Sequence, residues 1–132
     1  MNLWHDIPSG TEAEMNVIVE IPKYSKNKYE IDKETGLIAL DRVMHSAQDY
    51  PFDYGFVPQT YWHDEDALDV ILLTTYPLAP GILVRARAVA ILRCNDHAVG
   101  RNALAAAVRG GFRALEVTLG TPGAVEIIAD MA

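Results

Sequence analysis

Asp64, Asp66 and Asp69 stand within six residues, in the run His63-Asp64-Glu65-Asp66-Ala67-Leu68-Asp69, and the segment turns apolar at its end. Three carboxylates this close repel one another unless a cation neutralises them, and hard oxygen donors select Mg2+, Mn2+ or Ca2+ over softer metals. The same spacing is equally open to a helix cap or a surface loop. A calcium loop of the EF-hand type beginning at Asp64 is excluded. It would need a ligand, a glycine and a glutamate where the chain has Leu68, Asp69 and Thr75. No Gly-x4-Gly-Lys-Ser/Thr phosphate loop, His-Glu-x2-His zinc helix or Gly-x-Ser-x-Gly elbow occurs, and the four histidines are scattered and read as surface or core residues.

The elements that must position these aspartates read as short strands. Asn16 to Ile21 alternates, with Val17, Val19 and Ile21 on one face and Asn16, Ile18 and Glu20 on the other, and Pro22 ends the strand. Lys28, Glu30 and Asp32 alternate with Tyr29 and Ile31. Asp32-Lys33-Glu34-Thr35-Gly36 then supplies turn chemistry before Leu37 to Leu40, which predicts a hairpin. Side chains two apart share a face, so Lys28 and Glu30 project together, and Glu20 joins them if the first strand pairs alongside. Tyr50 to Gln59, rich in Pro, Gly and aromatics, reads as an ordered loop. The aspartate segment leads into a short buried strand over Val70 to Leu73. Tyr76 to Gly81 is turn material, and Ile82 to Leu92 is a long β-rich run. Several short strands between turns predict a small barrel.

At 132 residues, half of them apolar, the chain has material for one domain with a genuine core. Its 18 Asp and Glu against 11 Lys and Arg give a formal charge of -7, which opposes attraction to nucleic acid or an anionic membrane surface. Excess acid also simply keeps a soluble domain dispersed. The single Cys94 forms no internal disulfide, and no basic leader or spanning-length apolar run is visible, so the cytoplasm is the expected location.

Val19-Glu20-Ile21-Pro22, Asn27-Lys28-Tyr29-Glu30-Ile31-Asp32, Leu40-Asp41-Arg42, Tyr50-Pro51-Phe52-Asp53-Tyr54-Gly55-Phe56-Val57-Pro58 and Asp64-Glu65-Asp66-Ala67-Leu68-Asp69-Val70 follow one another in the chain. In these blocks, to which Tyr76-Pro77 and Pro80-Gly81 add, the chain resembles the family I soluble inorganic pyrophosphatases of prokaryotic type, from about Asn2 to Asp96. The resemblance implies a mainly β (α+β) fold, a five-stranded OB-like β-barrel with flanking helix, and magnesium-dependent (or manganese-dependent) hydrolysis of pyrophosphate. It carries metal-ligand roles onto Asp64, Asp66, Asp69 and Asp96, with Glu20 in the same cavity. Phosphate contacts fall on Lys28, Arg42 and Tyr54, and a further cavity carboxylate on Glu30. Asp66 is the implied base or orienter of the attacking water, with Tyr54 and Glu30 beside it in the catalytic set. The implied assembly is a homo-oligomer, a hexamer. Glu65 departs from the family, which usually has glycine there, and Ala67 replaces the usual proline.

The resemblance ends where the composition changes. No lysine follows Lys33, the acidic excess fades after Asp96, and the family's next aspartate and lysine align with Arg101 and Ala103. Residues 1–96 are therefore expected to form the pyrophosphatase-like part, with the C-terminal part of the usual fold missing or replaced. The tail over 97–132 is divergent, without being a separate domain, as a shifted reading frame would produce. Asn102 to Leu115 is Ala-rich and predicts a helix with Asn102 as N-cap, weakened by Gly110-Gly111. With those family groups lost, the chain is expected to be a pyrophosphatase, competent or impaired, or alternatively a metal- or phosphate-binding module without turnover.

Overall fold

The β-branched and apolar run Val17-Ile18-Val19 with Ile21 makes a strand buried from Val17 to Ile21, because both of its faces find apolar partners. The computed structural model describes residues 1–11, 13–111, 114–118 and 120–131. Its strands are β1 (Met15–Ile21), β2 (Asn27–Ile31), β3 (Ile38–Val43), β4 (Asp53–Val57), β5 (Leu68–Leu72), β6 (Leu83–Ala86), β7 (Val89–Leu92) and β8 (Ala114–Val117), and its helices are α1 (His97–Arg109) and α2 (Ala124–Met131). Two compact units result, one over 1–11 and 15–86, the other over 12–14 and 87–132.

In the first unit an antiparallel sheet runs in the order β5-β4-β1-β6, and β2 pairs with β3 in a separate antiparallel ribbon. The architecture is mainly β with open sheets rather than a closed barrel. Alternation along β1 divides the core: Val17 and Val19 pack with Val57 and Leu72, while Ile18 packs with Trp4, Phe56 and Ala67 on the other face. Each fully buried side chain of this size contributes about 1.5–3 kcal/mol. The two strands β1 and β4 lie so close that a Cβ on Gly55 would sit 2.1 Å from the Ile18 carbonyl oxygen.

Tyr50 to Gln59, expected as a loop, holds β4, a central strand of the sheet. Pro51 and Pro58 lie just outside the strand, where a missing N–H costs no ladder bond. The hairpin forms as its turn chemistry predicts. Asp32 Oδ1 accepts from the amides of Glu34 (2.8 Å) and Thr35 (3.0 Å), and the Gly36 amide donates to the Asp32 carbonyl (2.7 Å). Gly36 has φ 71 and packs against Asn2 with no room for a Cβ. The β-rich run 82–92 is two strands, β6 and β7, falling in different units.

In the second unit β7 and β8 pair in parallel, with α1 as the connection between them. The expected helix over 102–115 begins earlier. Asp96, not Asn102, is its N-cap, with Oδ1 accepting from the Val99 amide at 2.9 Å. It ends at Arg109, before Gly110 and Gly111, the latter at φ 96, and Ala114 and Leu115 belong to β8. Phe112 and Arg113 of that expectation lie outside the described residues. Among the described residues no helix is long and apolar enough to cross a membrane.

Candidate functional site

A cavity of about 480 Å3 opens in the first unit, walled by β1, β2, β4, the start of β5, the hairpin turn and the aspartate loop. Glu20 lines it from the end of β1, where the pairing with β4 passes from Val19↔Gly55 to Ile21↔Tyr54 and the register shifts. Alternation puts Glu20 on the face of Ile18, whose partners Phe56 and Ala67 also line the cavity. Glu20 is only 5% exposed, and its Oε1 accepts from the Ile31 amide at 2.8 Å, which ties β1 to β2. Burial pushes its carboxyl up to about 7. The Ile31 amide opposes that rise, and the charges of Asp69, Glu30 and Asp66 add to it.

Lys28 and Glu30 share a face of β2, as their spacing requires, and form an ion pair; Lys28 Nζ also lies 3.5 Å from Asp41 Oδ2. The hydrogen bond to Glu30, more than any other influence, raises the Lys28 ammonium above its usual range and keeps it charged. Tyr54, half-buried on β4, stands edge-on to Tyr50 at 6.0 Å between ring centroids. Burial first, then the Asp69 carboxylate beside it, holds its phenol well above the ordinary tyrosine range, so it remains a hydrogen-bond donor.

The aspartate loop is shaped by its own backbone. Trp62 N donates to the Asp66 carbonyl (2.7 Å), Glu65 N to the Trp62 carbonyl (3.0 Å), and Asp64 Oδ1 accepts from Asp66 N (3.2 Å). Glu65 occupies the left-handed region at φ 65, the position where the resembled family usually has glycine. Asp66 pairs with Lys33, Nζ to Oδ1 2.6 Å.

The cavity therefore brings together Glu20, Lys28, Glu30, Tyr54, Asp66 and Asp69. Asp64 is exposed and serves the turn, outside the cavity lining. Arg42 lies opposite Lys28 in the hairpin register, largely exposed, with Nε 3.9 Å from Asp41 Oδ2, and is also outside the lining. Asp96 belongs to the second unit as the cap of α1. Lys33 and Tyr50 line the cavity although the sequence did not single them out as site residues. Lys33 reads as part of a turn, and Tyr50 as part of a loop and of a resembled block, without a site role.

Among the described residues no three Asp, Glu, His or Cys side chains converge closely enough, as they stand, to hold a metal ion. The donor chemistry nevertheless fits a hard divalent cation. The acidic groups on the wall are all carboxylates, and their mutual repulsion is felt at Glu20.

The family model for inorganic pyrophosphatase matches residues 17–107. Soluble inorganic pyrophosphatase 3 of Arabidopsis thaliana is 50% identical over 96 residues, which cover 71% of this chain and 44% of that protein. The inorganic pyrophosphatase of Haloferax volcanii is 46% identical over 98 residues, covering 73% of this chain and 55% of that protein. Among solved structures, the inorganic pyrophosphatase from Thermus thermophilus aligns with a TM-score of 0.62 at 46% identity, over 66% of this chain and 51% of that one. The OB-like fold is consistent with this match, and the chain spans about half the length of the curated relatives it matches. Since the match to the family model covers most of its length and takes in every wall of the cavity, the chain belongs to the inorganic pyrophosphatase family.

Proposed function

We propose that this chain hydrolyses inorganic pyrophosphate to two orthophosphates in the cavity between β1, β2, β4 and the aspartate loop. The observation that carries the reading is the meeting of Glu20, Asp66 and Asp69 with Lys28 and Tyr54 on one cavity wall in a member of this family. Asp66 and Asp69, with Glu20 and Asp64, would hold the divalent cation, Mg2+ or alternatively Mn2+, because all four offer carboxylate oxygen. Once bound, the cation supplies positive charge against the phosphate oxygens and makes water more acidic.

The residues of the chain divide the remaining work. Water attacks one phosphorus, the bond to the bridging oxygen breaks, and the Asp66 carboxylate orients that water and takes its proton. Lys28 neutralises the leaving phosphate as a point charge, aimed by its pair with Glu30, and Arg42 adds a planar bidentate fork. The Tyr54 hydroxyl, kept protonated, donates to a phosphate oxygen. A homo-oligomer, hexameric by resemblance, and a cytoplasmic location belong to the same proposal.

Phosphate release from pyrophosphate by the purified chain with Mg2+, beside Asp66→Asn, tests it. Release that falls on the order of 10²–10⁴-fold in the variant is the expected outcome, the range for a positioned base. A parent chain that binds Mg2+ but releases no phosphate would instead make it a binding module without turnover.

A further inference from the structure

Lys33 lies on the cavity wall yet has no part in the phosphate contacts just assigned. Its backbone is fixed in the hairpin turn by the two amides that Asp32 Oδ1 accepts and by the Leu3 amide, which donates to the Gly36 carbonyl at 2.9 Å. From that turn the side chain crosses to the aspartate loop, where Nζ meets Asp66 Oδ1 at 2.6 Å and the Glu65 carbonyl oxygen at 3.2 Å. The same Nζ stands 6.0 Å from the centre of the Trp4 ring.

We infer that Lys33 is a positioning residue that acts as the resident counter-cation of Asp66, so that a divalent cation enters this site by displacing the Lys33 ammonium group. The inference rests on the cation site proposed above. An ammonium group at 2.6 Å already occupies the charge of Asp66, and a divalent ion on the same carboxylate would meet it as a like charge within a few ångströms. The geometry also gives the displaced group somewhere to go: the Glu65 carbonyl and the face of Trp4 can hold it at the edge of the loop. A second lysine pair lines the same cavity, Lys28 with Glu30, so two of its carboxylates, Glu30 and Asp66, each have a lysine partner.

Lys33 thereby has two effects of opposite sign on the cation. It keeps the Trp62 to Asp66 loop in reach, and it competes for Asp66. The pair is half exposed, with side-chain exposures of 54% and 48%, so its competition is modest and sensitive to salt.

The test is calorimetric titration of Mg2+ or Mn2+ into the full chain without pyrophosphate, for the parent, Lys33→Gln and Lys33→Arg. Lys33→Gln is expected to bind about two- to fivefold more tightly at low ionic strength, the range that an exposed ion pair is worth. The advantage should shrink towards none near 1 M salt, where screening acts over about 3 Å. Lys33→Arg, which restores the charge and the reach, is expected to return to the parent affinity. Equal or weaker binding by Lys33→Gln, with the parent binding normally and circular dichroism unchanged, overturns the role of Lys33 alone. A parent that binds neither ion overturns the cation site, and this inference with it.

Discussion

Glu20 and Asp53 are both buried carboxylates on adjacent strands of one sheet, and their surroundings send them in opposite directions. Burial raises both. At Asp53 it is outweighed: Oδ1 accepts from the Leu78 amide (3.0 Å) and the Lys23 amide (2.9 Å), Oδ2 accepts from the Thr74 hydroxyl, and the carboxyl ends below the usual range. Glu20 has the Ile31 amide against three neighbouring carboxylates and ends high. Asp53 is thus a structural anion that pins the chain before β2 and the turn after β5 to β4, whereas Glu20 waits for a counter-charge. Removing Asp53 leaves two amides without their acceptor, so Asp53→Ala should cost about 2–4 kcal/mol in urea unfolding at pH 7. Asp53→Asn should cost less, since its carbonyl oxygen can still accept from both amides. Because the folded-state value is depressed, the stabilisation by Asp53 is complete above the unfolded value near 3.8 and is lost as pH falls through the lower folded value. Urea midpoints compared at pH 7 and pH 3 should therefore drop less in Asp53→Asn than in the parent, and equal drops would remove Asp53 from the account.

The elements differ in how far local sequence specified them. β1 and the β2–β3 hairpin were legible because alternation and the Asp32 to Gly36 turn are local chemistry, and the meeting of Lys28 with Glu30 follows from strand period alone. β4 was not, because Gly55 and the flanking prolines argue against a strand. What makes it one is the approach to the Ile18 carbonyl, about forty residues distant in sequence, a tertiary demand that no local pattern carries. The same holds for the reach of Lys33 to Asp66. Helix α1 was misplaced because Asp96, read as a ligand by resemblance, is also a good cap. The aspartate loop shows a local conflict of its own. Glu65 sits at φ 65, a backbone that costs an ordinary L-residue roughly 1–2 kcal/mol, at a position where glycine is the usual choice. Glu65→Gly should relieve that strain and raise stability by about 1 kcal/mol, after the extra chain entropy of glycine is subtracted. Thermal unfolding of the two proteins measures it, and a lower midpoint for the variant would mean that the loop holds Glu65 by contacts worth more than the strain.

For the whole molecule, association follows from what the sheet leaves open. β5 is the outer strand of the order β5-β4-β1-β6, so among the described residues no further strand of this sheet covers its far side. Ile71 on that strand and Leu73 just beyond it are 57% and 76% exposed. An outer strand with apolar side chains invites pairing with another copy, and native proteins commonly blunt such edges with lysine. The general charge acts the other way, since -7 on each chain favours dispersion. These two influences can be separated. Replacing Ile71 and Leu73 by lysine lowers the net negative charge, which by itself would bring copies closer together. If the edge nevertheless drives assembly, the double variant should sediment as a smaller species than the parent at the same protein concentration, with unchanged circular dichroism. A parent that assembles and a variant that assembles equally would assign the contact to another surface. Assembly strengthened in the variant would mean that charge, rather than the β5 edge, sets the oligomeric state.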